Sequence, residues 1–136
     1  MVTGINHITF AVEDLERSFV FYSEILGMKA AARWENGAYL EAGNHWIALL
    51  VDPKISFSEK PDYSHVAFDC SANEFERIKA RIIKYGSPSW QENSSEGQSY
   101  YFNDPDGHKL EIHIGDLETR LSSMRQNPWA EFKFYR

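Results

Sequence analysis

Two stretches of the chain share one order of side chains. Asn6-His7-Ile8-Thr9-Phe10 reads polar, His, β-branched, small, Phe, and Ser64-His65-Val66-Ala67-Phe68 repeats it. Both predict strands, and such internal similarity bears on the whole fold. Apolar residues at helical spacing follow each strand: Leu15, Phe19, Tyr22, Ile25 and Leu26 up to Gly27, then Phe75, Ile78, Ile82 and Ile83 up to Gly86. Asp14 and Ser71 stand where N-caps belong, and the glycines where helices end.

Short strand-like runs separated by polar turns come next, at about 29–34, 38–42 and 45–51 in the first half and 88–91, 99–103 and 109–114 in the second. The predicted class is α+β, with paired β-α-β-β-β modules at about 1–58 and 59–136 forming a single domain. Residues 51–62, with Pro53 and Pro61, read as the linker. Beyond Gly115 a helical run (Leu117, Leu121, Met124) leads to an aromatic end (Trp129, Phe132, Phe134, Tyr135), which predicts docking on this or another subunit.

Composition narrows the function. At 136 residues and 43% hydrophobic, the chain can bury a core without staples. The lone Cys70 has no internal disulfide partner, and no run is apolar enough to cross a bilayer, so a cytoplasmic protein is expected. A formal net charge of -6 without a Lys/Arg block argues against nucleic-acid or anionic-membrane binding. An anionic ligand would need a local cation.

Aligning the repeats sets the strand after Gly43-Asn44-His45 against the strand after Asp106-Gly107-His108, so Ala48 corresponds to Glu111. A pseudo-twofold would carry His7, His65, Glu111 and Ala48 to one cleft. Two imidazoles and a carboxylate suit a divalent ion such as Mn²⁺, Fe²⁺, Co²⁺, Ni²⁺ or Zn²⁺, and the alanine leaves coordination room, as a catalytic Lewis acid requires. Thr9, two residues along from His7, should share its face, either as an ordinary β-former or as a donor to an oxygen at the metal. His45, His108 and His113 lack the symmetry and read as turn or surface residues, and Asp104-Pro105-Asp106-Gly107 as a tight turn. The polar stretch 93–99 suits either a flexible loop or a wrap for a monovalent cation or polar substrate.

Several blocks, in order and spacing, resemble the vicinal-oxygen-chelate (glyoxalase/dioxygenase) superfamily, and within it the fosfomycin-resistance glutathione transferases of the FosA type. They are Gly4-Ile5-Asn6-His7-Ile8-Thr9, Gly37-Ala38-Tyr39-Leu40, Asp62-Tyr63-Ser64-His65, Asn93-Ser94-Ser95-Glu96-Gly97 and the run from Tyr101 through Asn103-Asp104-Pro105-Asp106-Gly107 to Glu111. The resemblance implies Mn²⁺ at His7, His65 and Glu111, in a homodimer whose exchanged modules build each site from both chains. It implies K⁺ in the loop of Asn93, Ser95, Gly97 and Ser99. Trp46, Tyr63, Ser99, Tyr101 and Arg120 would contact the phosphonate, with Thr9 at the reacting end. Arg120 would supply the local cation. Glutathione would supply the thiol that opens the epoxide, giving antibiotic resistance.

The departures are informative. That family usually has Lys where Gln91 stands and a basic residue where Ser94 stands, so two cations that help hold the phosphonate or glutathione are missing here. Epoxide-hydrolase relatives carry a carboxylate base where Gly37 stands, and bacillithiol-using relatives usually have Cys where Thr9 stands. Both point to glutathione as the attacking group. The alternatives are a metalloenzyme of the same fold acting on another small oxygen-chelating molecule, and a non-catalytic small-ligand-binding protein.

Overall fold

The computed structural model describes residues 1–55 and 60–136. Strand β1 (His7–Val12) leads into helix α1 (Leu15–Val20), followed by β2 (Lys29–Trp34), β3 (Gly37–Ala42) and β4 (His45–Val51). The second half runs β5 (Val66–Asp69), α2 (Ala72–Tyr85), β6 (Gln98–Asn103), β7 (Lys109–Ile114) and α3 (Leu117–Gln126). The strands form two sheets, ordered β1-β4-β3-β2 and β5-β7-β6. In both, the first strand lies parallel to the last, which pairs antiparallel with the strand before it. This is the expected α+β plan.

Two local expectations change. The strand expected at 88–91 contracts to one bridge, Gln91 to Tyr101, because the Trp90 indole turns inward and donates to the Leu110 carbonyl oxygen at 3.0 Å. Helix α1 is capped by Asp14, whose side chain accepts from the Arg17 amide, but it widens into a π-helical turn over Phe21–Ile25. There the Ser23 hydroxyl donates to the Phe19 carbonyl at 2.6 Å, and the Leu26 amide reaches back to Phe21. The widened turn buries both Phe21 and Tyr22 fully. Of the expected linker 51–62, residues 56–59 lie outside the described residues; before them Asp52 accepts from the Lys54 amide in a tight turn.

One core serves both halves. Phe10, Val12, Leu40, Ile47 and Leu49 from the first sheet join Phe102, Leu110 and Ile112 from the second, with Phe21 and Tyr22 between them. Each such fully buried side chain contributes roughly 1.5–3 kcal/mol.

The Asp104-Pro105-Asp106-Gly107 turn is tight, as expected: the Gly107 amide donates to the Asp104 carbonyl, and Gly107 takes φ +88°. Its carboxylates are nonetheless buried, a feature no turn propensity predicts. Asp104 accepts from the Tyr22 hydroxyl (2.6 Å) and from the amides of Asp106 and His108 (both 2.9 Å). Asp106 accepts from the Glu13 amide, Arg17 and the Ser18 hydroxyl. The turn therefore fastens the second half to the start of α1. His108, expected at the surface, is half-buried instead, and its Nε2 lies 2.8 Å from the Ala11 carbonyl oxygen.

The aromatic tail folds back along α3. Arg125 lies over the Phe134 ring, Arg136 pairs with Glu118, and Phe132 packs between Trp129 and Phe134.

Candidate metal centre and surrounding pocket

The strand registers place the candidate residues. In the first sheet Ala48 lies opposite Thr9 on β1 and Tyr39 on β3; in the second, Glu111 lies opposite Ala67 on β5 and Tyr101 on β6. Ala48 and Glu111 thus occupy equivalent positions, as the repeat alignment expects. Equivalence does not bring all the ligands together within one chain. Glu111, buried on β7, has its Oε1 3.0 Å from His65 Nε2. His7 sits on the other sheet, its ring 4.3 Å from that of Trp46. Among the described residues no group of three or more His, Cys, Asp or Glu side chains is close enough to hold one ion.

The two histidines are nevertheless prepared alike. His65 Nδ1 lies 2.8 Å from the Tyr63 carbonyl oxygen and His7 Nδ1 2.7 Å from Asn6 Oδ1. Both oxygens only accept, so each Nδ1 carries hydrogen and Nε2 is the ring atom left to face a metal. Metal-ligating histidines are commonly oriented by this kind of contact. At His65 that atom faces a carboxylate oxygen across 3.0 Å, and two atoms so placed call for a proton or a cation between them. The donor set fits a divalent ion.

Around His65 the rings of Tyr63, Trp90 and Tyr101 form an aromatic wall, with centroids 5.0 to 6.2 Å from the imidazole. Gln91 Nε2 donates to the Tyr63 hydroxyl at 2.8 Å. Tyr101 and Ser99 are buried, while Thr9, on the His7 face of β1, and Trp46 are exposed. In the 93–99 stretch Asn93 Oδ1 accepts from the Ser95 amide and hydroxyl, and Asn93 Nδ2 donates to the Gly97 carbonyl. Three potential oxygen ligands thereby lie close together. Arg120, on α3, is held at Nε by Glu96 Oε1 at 2.6 Å.

Sequence reasoning missed three members of this neighbourhood. Trp90 was visible only as one aromatic in a presumed strand. Glu96 had no marked partner. His113, expected at the surface, is half-buried with Nδ1 2.6 Å from the Ser99 hydroxyl; its position two residues beyond Glu111 was the available signal, since alternate strand residues share a face. His45 is exposed, as expected.

Comparison with known proteins places this geometry in a family. Residues 4–112 match the model of the Glyoxalase/Bleomycin resistance protein/Dioxygenase superfamily. The chain is 43% identical over 136 residues to the glutathione transferase FosA of Serratia marcescens, covering 98% of this chain and 96% of that protein. It is 39% identical over 131 residues to the metallothiol transferase FosB of Staphylococcus epidermidis, covering 93% and 94%. Among solved structures, it resembles a mutant of the fosfomycin resistance protein FosX from Listeria monocytogenes, complexed with Mn(II) and 1S,2S-dihydroxypropylphosphonic acid, with a TM-score of 0.79. That match is 28% identical and covers 90% of this chain and 98% of the other. The superfamily match over residues 4–112 and the 43% identity over nearly the whole of both chains lead to one conclusion: the chain belongs to the glyoxalase/bleomycin resistance protein/dioxygenase superfamily and, within it, to the Fos group of fosfomycin-resistance proteins.

Proposed function

We propose that this protein is a divalent-metal glutathione transferase that opens the epoxide of fosfomycin or a related phosphonate, acting as a homodimer. The observation that carries the reading is the matched preparation of His7 and His65, each with Nδ1 committed to an oxygen and Nε2 free to ligate, together with Glu111 at 3.0 Å from His65. Within one chain His7 stands apart, so a second copy would supply it, with modules exchanged between chains. Exposed apolar side chains on the first sheet, Trp34, Tyr39, Trp46 and Leu50, support such a face-to-face arrangement.

His7, His65 and Glu111 would hold Mn²⁺, which would supply Lewis acidity against the charge that develops on the epoxide oxygen. The chain's residues do the rest. The thiolate sulfur of glutathione bonds to a ring carbon, the C–O bond breaks, and the oxygen takes up a proton from water, with the Thr9 hydroxyl as hydrogen-bond donor. Arg120, Tyr63 and Tyr101 hold the phosphonate by charge and hydrogen bonding, while the Ser99 proton is committed to Glu111. A K⁺ ion at Asn93, Ser95, Gly97 and Ser99 would add positive charge, and the grouped oxygens of that loop support it.

Thiol rather than water attack is favoured by Gly37. A side chain there would begin 2.3 Å from the Trp34 ring and 2.9 Å from the Leu49 carbonyl, so position 37 has no room for a carboxylate base. The neutral Gln91–Tyr63 contact favours a second reading, a metalloenzyme of this fold acting on another oxygen-chelating substrate. The test is incubation with fosfomycin, Mn²⁺ and K⁺ together with glutathione or, in parallel, bacillithiol, followed by mass spectrometry. A glutathione adduct is expected. A diol, an adduct with bacillithiol only, or no product at enzyme concentrations matching substrate refutes the glutathione reading.

A further inference from the structure

We propose that His113 is a positioning residue: its Nδ1–H donates to the Ser99 hydroxyl, directing the Ser99 proton onto Glu111. The inference rests on the metal-ligand reading of Glu111 and adds a residue which that reading does not use. Ser99 and His113 lie opposite each other on β6 and β7, and His113 shares the strand face of Glu111. The Ser99 Oγ is 2.6 Å from Glu111 Oε2 and 2.6 Å from His113 Nδ1. Nearly all of this is shielded from water, with the Glu111 and His113 side chains 8% and 16% exposed.

A hydroxyl has one proton. A carboxylate that ligates a cation is ionised and only accepts, so the Ser99 proton goes to Glu111 Oε2. The second short contact is then a hydrogen bond only if His113 Nδ1 carries hydrogen. The resulting chain, His113 Nδ1–H to Ser99 O–H to Glu111, has one direction, and each bond polarises the next. It holds the carboxylate at Oε2 while Oε1 faces His65.

Two further features mark this arrangement. The first sheet builds the same strand pair with Gly37, Ala48 and Leu50 where the second has Ser99, Glu111 and His113, so the polar trio occurs only in the repeat that carries the carboxylate. The imidazole also lies in a slot left by two glycines. A Cβ at Gly115 would meet His113 Nε2 at 2.9 Å, and one at Gly97 would meet His113 Cε1 at 3.4 Å; both backbones have positive φ, +136° and +75°. The ring is held in place.

Two measurements test the inference. In the metal-free wild type, nitrogen NMR of the imidazoles should find His113 protonated at Nδ1, and Ser99→Ala should release it towards the Nε2–H form. An Nε2–H tautomer in the wild type overturns the proposal, whatever the metal does. In calorimetry with Mn²⁺, His113→Leu should weaken affinity by about tenfold or more, as for other residues that orient metal ligands. His113→Asn, whose amide places a donor near the Nδ1 position, should stay near the wild type, and His113→Gln, which reaches the Nε2 position, should resemble His113→Leu. In a Ser99→Ala background His113→Leu should cost nothing more. Equal affinity of His113→Leu and wild type, independent losses in the double variant, or His113→Asn as weak as His113→Leu would each refute it. A wild type that binds no Mn²⁺ defeats the metal reading instead, and the tautomer still decides the role of His113.

Discussion

Replacing Tyr22 by Phe removes one hydroxyl from the seam between the two halves and leaves the packing intact. The ring stays buried and stacked 5.4 Å from Phe10, so the perturbation is confined to the 2.6 Å bond to Asp104 Oδ2. The amides of Asp106 and His108 remain on Oδ1, while Oδ2 is left without its donor. Losing a buried hydrogen bond to a charged group costs roughly 1.5–3 kcal/mol. A value of about 2 kcal/mol corresponds to a fall in Tm of about 7 °C for a chain of this length.

The pH dependence makes the prediction sharper. Burial raises the Asp104 carboxyl above the usual aspartate range, against the opposing pull of the His108 charge and the bonds from Tyr22, His108 and Asp106. A raised native pKa means that the stability contribution is fully present below the unfolded value of about 3.9 and is lost as pH rises through the native value. The Tyr22 hydroxyl limits that loss by favouring the ionised form. Without it the native pKa rises further, so the penalty of Tyr22→Phe should be larger at about pH 8 than at about pH 4. Denaturant unfolding followed by tryptophan fluorescence, at fixed protein concentration in case a dimer forms, measures both. A penalty below about 0.5 kcal/mol, or one that shrinks with rising pH, would refute the account of the seam.

Three other outcomes are expected. Gly37→Ala should lose about 1–3 kcal/mol because its methyl meets the Trp34 ring and the Leu49 carbonyl; Trp34→Ala should restore only part of this, since the carbonyl contact remains, and unchanged stability would show that the strand yields freely. Mixing His7→Ala protein with Glu111→Ala protein, each inactive alone, should restore about a quarter of wild-type thiol addition if sites are shared between chains, because half the dimers then carry one intact site; no recovery after subunit exchange would place each site within one chain. Gln91→Lys should raise kcat/KM towards fosfomycin by about an order of magnitude by returning a cation beside Tyr63, and an unchanged rate would count against the phosphonate reading.

Much of this molecule was legible in residue order. The period of apolar positions predicted all three helices and all seven described strands, failing only at 88–91, and the alignment of the repeats paired Ala48 with Glu111 before any register was known. The His65–Glu111 pairing followed from the same alignment. These features are legible because helix and strand periods are local properties and a duplication carries its own coordinate system. What only the tertiary structure decided lies where side chains meet across distant segments. The burial of Asp104 and Asp106 depends on Tyr22, Ser18 and Arg17 lying opposite them more than eighty positions away in the chain. The bond from His113 to Ser99 depends on β6–β7 register and two glycines, and the separation of His7 from Glu111 on how the two sheets sit within one chain. Hydrogen bonds are short and directional, so whether a polar residue faces water, a carboxylate or a cation is settled only when the partner segment arrives.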